Sequence, residues 1–302
     1  MNLGVTIAAL LAALLDRTIG EPPVGIHPVA LFGRVVDHLR ERSEENRSHG
    51  LAIAIALPLV AAGTSYAVVR AGAWIDPVVG ALLAGVVLFV CTSLRMLLES
   101  AETVVGYSGS DLDAAREALP ALVGRETGSL SAGEIRSAAV ESVAENVADG
   151  LIAPLVAFGI GAVVSLPIAA AAAAWVKAVN TLDSMLGYPG EFGWASARLD
   201  DLVMFVPARL SAPLIGFAAG DPDAPLRARR YARSPASPNA GWPMGTLAAA
   251  LNVRLEKPGA YSLNSVSDLP TVERANDGIA IVRRTGVAAY VLLALWGVIL
   301  WT

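Results

Sequence analysis

The sequence predicts an all-α, polytopic integral membrane protein, and three observations predict it. Hydrophobic residues make up 55% of the 302 and charged residues only 16%, where a typical soluble domain carries about 25% charged residues. Mean hydropathy is +0.57. The charges are clustered, so long uncharged windows remain between them, close to the ~20 residues a helix needs to span a bilayer. About four to five membrane segments joined by cytoplasmic helical loops are expected, within a single domain over residues 1–302.

Residues 3–15 are apolar but short for a comfortable span, and Asp16, Arg17, Gly20, Glu21, Pro22 and Pro23 end them. Residues 1–15 carry no charge, so the basic start of a cleaved signal peptide is missing. His27 precedes a proline and is biased away from helix; with Asp16 and Glu21 just upstream it belongs to a polar site. An amphipathic charged helix follows around 34–48. Residues 51–69 and 77–94 are uncharged and read as a transmembrane hairpin broken at Arg70–Pro77. Arg95 and Glu99 stand four apart, a helical pairing distance. Residues 99–149 read as a soluble helical segment, with a helix start at Ser110-Asp111 and a capping box at Ser131–Glu134.

Next come 27 consecutive uncharged residues, Gly150 to Val176, interrupted by Gly159, Gly161 and Ser165-Leu166-Pro167. They form either one kinked span or a re-entrant hairpin. Residues 189–201 read as a loop. Residues 202–220 are apolar but carry Arg209 and two prolines, which suits a broken or interfacial helix. Residues 220–285 are polar, and residues 287–302 form a short final membrane helix.

The polar groups at the two ends of the 150–176 run are costly to bury and therefore point to function. Glu141, Glu145 and Asp149 are four apart and stack on one helical face, with Asn146 beside them. Their mutual repulsion asks for a cation. Lys177, Asn180, Thr181 and Ser184 share another face, with Asp183 next to it. Acid on one face and ammonium, amide and hydroxyl on the other are suited to a metal–phosphate group. The lone Cys91 excludes an internal disulfide, and a net charge of −5 gives no sign of nucleic acid. No GxxxxGK[ST] phosphate loop is present.

Lys and Arg counts are five in 16–50, three in 99–149 and nine in 220–285, against one in 70–76 and two in 177–201. The first three segments therefore belong on the cytoplasmic side. A site drawing on both 141–149 and 177–184 then requires a re-entrant 150–176, or a 177–188 segment sunk in a cavity open to the cytoplasm.

The stretches DRTIGEPPVGIHPVALFG (16–33), ESVAENVADGLIAPL (141–155), KAVNTLDSMLGY (177–188), ARLDDLVMFVPARL (197–210) and SPNAGWPMG (237–245) together resemble the CobD/CbiB family, the adenosylcobinamide-phosphate synthases of cobalamin biosynthesis. The resemblance covers about Asp16 to Tyr261. It implies an ATP- and magnesium-dependent amide ligase of the cell membrane, with its active site facing the cytoplasm. Such an enzyme joins adenosylcobyric acid to 1-aminopropan-2-ol O-phosphate. Its partners would be that corrinoid, the amino alcohol phosphate, membrane lipid and other membrane enzymes of the pathway.

On that reading the polar site draws on 16–33, 134–149, 177–209 and 227–245. Lys177, Asp183, Glu145 and His27 are its catalytic candidates, with His27 or a carboxylate of raised pKa as general base. Magnesium would be met by Glu141, Glu145, Asp149, Asp200 or Asp201. Asn180, Ser184, Arg198, Arg209, Arg230 and Asn239 would hold substrate or phosphate, and Arg227 and Arg229 are further candidates. Bland readings stand beside these. Asp200-Asp201 also suits a helix cap, Arg227–Arg233 a positive-inside anchor, SPNAGWPMG a turn and Trp242 an interfacial belt. A non-catalytic ligand-binding or assembly protein of a related family is the alternative function. A transporter is disfavoured by the few spans and the long polar loops.

Overall fold

The computed structural model describes residues 3–23, 25–43, 45–188 and 190–300. Pro189 of the expected loop and residues 301–302 of the expected last helix lie outside them. The fold is all-α apart from one short hairpin, and the helices run α1 Leu3–Thr18, α2 Pro28–Arg42, α3 Arg47–Ile75, α4 Pro77–Cys91, α5 Leu94–Ser108, α6 Leu112–Ala118, α7 Ala132–Val147, α8 Ala153–Ala162, α9 Leu166–Leu186, α10 Trp194–Val203, α11 Phe205–Ala218, α12 Ala224–Ala228, α13 Gly241–Leu251 and α14 Val272–Ile299. Among the described residues, four helical stretches are long and apolar enough to cross a membrane, or five if the bent pair α10–α11 is one span. The chain is a multi-pass membrane protein. The chain divides into two compact units. One comprises Met1–Ser93, Ala153–Met204 and Ala289–Thr302; the other comprises Leu94–Ile152 and Phe205–Ala288.

In the first unit α9 is central and packs on α2, α3, α4, α8 and α10. Its start is set by Ser165, whose hydroxyl accepts the Ile168 N–H, with Pro167 in the first turn. Backbone bonds from Val164 and Ser165 to Gly161 turn the chain between α8 and α9. The chain therefore reverses between α8 and α9 within 150–176, and α8 (10 residues) is the end of the continuous helical stretch Ala132–Ala162, which is long and apolar enough to cross a membrane. Gly161 makes the close approach possible, since a Cβ there would stand 2.8 Å from the Cα of Ala169 and from the carbonyl of Ile168. The expected break at Arg70–Pro77 shrinks to Asp76. This residue ends α3 and caps α4 through its bond from Val78 N (2.7 Å), with Pro77 at the first helical position. Thr6 donates to Ala294 O (2.9 Å) and Trp296 Nε1 to Gly159 O (2.9 Å), which ties the end of α14 to α1 and α8.

In the second unit α7 packs on α5, α6, α13 and the hairpin β1 (Leu255–Lys257)–β2 (Tyr261–Leu263). The Ser131–Glu134 capping box is present and opens α7. Asp111 caps α6, accepting from Ala114 N (3.1 Å). A π-helical turn, Ala148–Ile152, ends this unit's share of the 132–162 helix. The hairpin escaped the sequence reading. Its strands are three residues each, and its turn uses Gly259 at φ 75 after Pro258. Two further expectations are corrected. The loop at 189–201 already contains α10 from Trp194, and the last helix begins at Val272 rather than 287. Arg274, Asp277, Arg283 and Arg284 hid its start, because charged residues on an exposed helical face lower local hydropathy without breaking the helix. As expected, 202–220 is broken: α10 ends at Val203 and α11 begins at Phe205.

Glycines provide a matched test. Gly161→Ala should destabilise the detergent-solubilised chain by about 1–3 kcal/mol, the usual penalty of overpacking. Gly63→Ala in α3, where a Cβ meets nothing within 4 Å, should leave stability unchanged or raise it by up to about 1 kcal/mol. Thermal unfolding of the two variants checks the pair.

Candidate functional site

The expected site residues fall into both units. In the first, the C-terminal turns of α9 meet α10. Asn180 Nδ2 stands 3.5 Å from Asp200 Oδ1, a long hydrogen bond, and Asp200 is buried. Asp183 is half-buried. Burial and then the charge of Asp201 push its carboxyl above the ordinary range. Arg198 stands 3.9 Å from Asp201 on the exposed side. Thr181 and Ser184 donate back along α9, to Lys177 O and Thr181 O (both 2.8 Å), so their hydroxyls offer acceptor oxygens only in this rotamer.

The connection that brings α10 to α9 is clamped by two glycines. A Cβ at Gly193 would overlap the Leu186 carbonyl, and one at Gly50 of α3 would overlap that of Phe192. Gly187 is the C-cap of α9, and a Cβ there would overlap the Asp183 carboxylate and carbonyl. Lys177 lines a different space: a largely apolar cavity of about 380 Å³ among α2, α3, α4 and α9, with Phe32, Cys91 and Thr181.

His27 has a defined structural task. It is the N-cap of α2: its Nδ1 accepts from Val29 N (3.1 Å) and its Nε2 pairs with Glu21. Both ring nitrogens are engaged in these contacts, which fix the ring at the start of α2. The capping signal was present in His27-Pro28, since proline at the first helical position follows an extended N-cap.

In the second unit Glu141 is 4% exposed, and its Oε2 accepts from Arg125 NH2 at 3.1 Å. Arg125 comes from the loop after the 3-10 turn Leu119–Ala121. Glu145 lies one turn along α7. Asp149 falls in the π-helical turn, where the four-residue register of the acidic stripe breaks. Tyr261, on β2, lies beside the two glutamates. Burial, then the charges of Glu141 and Glu145, hold its phenol protonated well above the usual range.

Arg209 on α11 is fixed by two donations, to Phe205 O (2.8 Å) and to Asn239 Oδ1 (2.9 Å). Its guanidinium lies 3.5 Å from the Phe205 ring centroid and 5.4 Å from that of Trp242. Asn239 is buried at the turn before α13, and Arg233 is close enough for its charge to act on Arg209. Arg227 is committed elsewhere: it pairs with Asp221, whose carboxyl this hydrogen bond holds below its ordinary range. Arg230 is exposed.

Among the described residues no three His, Cys, Asp or Glu side chains converge to hold a metal ion. Magnesium commonly takes only one or two carboxylates and completes its shell with water and phosphate oxygens. The nearby acids of α9 and α10 suit that mode; the full 141–145–149 stripe does not form a closed ligand set.

A family model described as CobD/Cbib protein matches residues 9–288. The chain belongs to the CobD/CbiB family. Relatives of this family include a probable cobalamin biosynthesis protein CobD of Methanothrix thermoacetophila, 35% identical over 95% of both chains. A cobalamin biosynthesis protein CobD of Klebsiella pneumoniae is 36% identical over 98% of both. Its counterpart in Geobacter metallireducens is 38% identical over 83% of this chain and 81% of its own. No solved structure matches the chain. The matched region holds every site residue named above, including Arg125 and Tyr261, which the sequence reading did not single out. Arg125 stands 16 residues before its partner Glu141, a separation with no periodic signal.

The Arg125–Glu141 pair sets a stability test. Arg125→Met alone strands a buried carboxylate and should cost about 3–5 kcal/mol, whereas Arg125→Met with Glu141→Leu should recover most of that loss. Thermal unfolding of the single and double variants reads the difference.

Proposed function

We propose that this family member is an ATP-dependent amide ligase that joins adenosylcobyric acid to 1-aminopropan-2-ol O-phosphate, giving adenosylcobinamide phosphate at the cytoplasmic face of the cell membrane. Membership in a cobalamin-biosynthesis family over residues 9–288 is the observation that carries the reading. The association of motif residues from α9 and α10 supports it. A carboxylate is a poor electrophile, so ATP would convert it to an acyl phosphate with release of ADP. The neutral amine then attacks the acyl carbon, the amide bond forms and inorganic phosphate leaves.

The residues take roles that follow from their surroundings. Asp183 is the base in this account, because its raised affinity for a proton suits it to deprotonate the ammonium. Asn180 and Asp200 orient a polar group at the α9–α10 junction. Within the second unit, Arg209, hydrogen-bonded to Phe205 O and Asn239 Oδ1, is suited to bind a phosphate. Asp200 and Asp201 are the carboxylates that would hold magnesium, which supplies charge neutralisation on the phosphates. Lys177 supplies a point charge for an anionic substrate group. Positioning and charge neutralisation would carry most of the rate.

The test is an assay of purified protein with adenosylcobyric acid, aminopropanol phosphate, ATP and magnesium, following the corrinoid product by mass. Amide product is expected, with kcat/KM falling by about 10²–10⁴-fold in Asp183→Asn, the range for a lost general base, and falling also in Lys177→Ala. No amide from intact substrates would leave the ligand-binding alternative. Amide formation that persists in both variants would keep the reaction and move its site.

A further inference from the structure

A cavity of about 690 Å³ lies wholly within the first unit, between the first turns of α1, α4 and α9 and the last turns of α3. Its walls are held by close contacts. Asp76 caps α4 directly after α3, and a Cβ at Gly80 would stand 2.7 Å from that of Ala73 across the α3–α4 turn. A Cβ at Gly4 of α1 would stand 3.2 Å from Leu166 Cδ2 and 3.6 Å from Ala81 Cβ. The residues named for the α9–α10 site lie elsewhere: Asn180 is 15 positions beyond Ser165, about 22 Å along the helix.

The lining is apolar except for Arg70, Tyr66 and Ser165, and Arg70 is its only charged side chain. Arg70 and Asp76 are the only charged residues in 50–94. Asp76 turns to its own cap, accepting from Val78 N at 2.7 Å. Among the described residues the Arg70 side chain makes no hydrogen bond and no ion pair. A cation in the apolar part of a membrane helix is costly and calls for a counter-charge. The depth of this cation is marked by Trp74 and Ile75, one turn further along α3 and 86% and 80% exposed. Tryptophan is enriched where a membrane meets water, so this end of α3 lies at the level of lipid headgroups. From Arg70 the cavity runs one turn inward, to Tyr66 on α3, Ile7 on α1 and Ala81 on α4.

An unpaired guanidinium at headgroup level above an apolar cavity matches an amphiphile with an anionic head. We infer that this cavity binds one anionic phospholipid, with its phosphodiester on Arg70 and part of an acyl chain between α1, α3 and α4. A planar guanidinium suits two phosphate oxygens at once. Ser165 Oγ accepts from Ile168 N, which leaves its proton for the headgroup, and the Tyr66 hydroxyl is a second donor. The first turn of α9 adds partial positive charge behind a neutral cap. The volume lies within the ~300–1,000 Å³ of sites that enclose a small organic ligand. A water-soluble anion would leave the apolar walls uncovered. A zwitterionic headgroup would bring a cation of its own, and the lining holds no carboxylate to meet it. Such a lipid would brace the start of α9 against α1, α3 and α4.

The experiment is native mass spectrometry of the full-length, delipidated protein in detergent, titrated with phosphatidylglycerol or phosphatidylcholine and read at the first lipid bound. Phosphatidylglycerol should bind at least about tenfold tighter than phosphatidylcholine. Arg70→Gln should remove about tenfold or more of that affinity, as expected when a charged hydrogen-bond partner is lost, and Arg70→Lys should retain most of it. Arg70 is exposed to the cavity and to lipid, so these variants test binding with the fold intact. Arg40→Gln removes an exposed charge from α2 and should leave binding unchanged. Equal affinity for the two lipids would overturn the assignment, as would a preference for phosphatidylglycerol that survives Arg70→Gln. An equal loss in Arg40→Gln would also overturn it, leaving only a diffuse attraction of basic residues for anionic lipid. A dimer that excludes lipid and is lost in Arg70→Gln would give the cavity to a second copy of the chain instead.

Discussion

Close approach of backbones at small residues is the constraint on which the first unit depends. Lipid is as apolar as a leucine side chain, so helices in a membrane gain little from hiding hydrophobic area and pack instead through close contact. Gly161 lets α8 fold back on α9 beside Ala169. Gly50 and Gly193 then clamp the connection from α9 to α10. Asp200 and Asp201 lie on α10 beside Asn180 and Asp183 of α9, and the close backbone contacts at Gly50 and Gly193 hold α10 there. Here the chemistry of the site is fixed by residues that carry none themselves.

The second unit solves a different problem. It buries Glu141 almost completely and must offset the cost of taking a carboxylate out of water. Arg125 does so from a loop whose own backbone is anchored by Ser142 and Arg116. Tyr261 on β2 packs beside the same carboxylate. Arg209 shows a third device: an arginine stacked on aromatic rings and bonded to a buried amide loses little further freedom when it meets a phosphate.

Much of this was legible in the sequence, for reasons that differ by element. The transmembrane windows of α3 and α4 were plain because nothing charged interrupts them. The capping box at Ser131–Glu134 and the Arg95–Glu99 pair (2.6 Å) were legible because both are local. The α8–α9 hairpin was half legible: Gly161 and Ser165-Leu166-Pro167 marked a break, but composition could not separate a kink from a reversal. The stripe at 141, 145 and 149 was read as one face; Asp149 falls in a π-helical turn, whose change of hydrogen-bond register leaves no mark in residue type. Arg125 and Tyr261 were invisible because only tertiary packing brings them to Glu141. His27 was noticed for its chemistry, and its capping geometry shows that it serves the start of α2.

The central claim is that this chain activates a carboxylate with ATP and passes it to an amine. Its most direct measurement uses adenosylcobyric acid labelled with oxygen-18 in the free carboxylate, incubated with aminopropanol phosphate, ATP and magnesium. The account predicts that one labelled oxygen appears in inorganic phosphate for each amide formed, because the acyl phosphate intermediate carries that oxygen out with the leaving group. Amide formed without ATP turnover, or ATP turnover with no label in the phosphate, would contradict it.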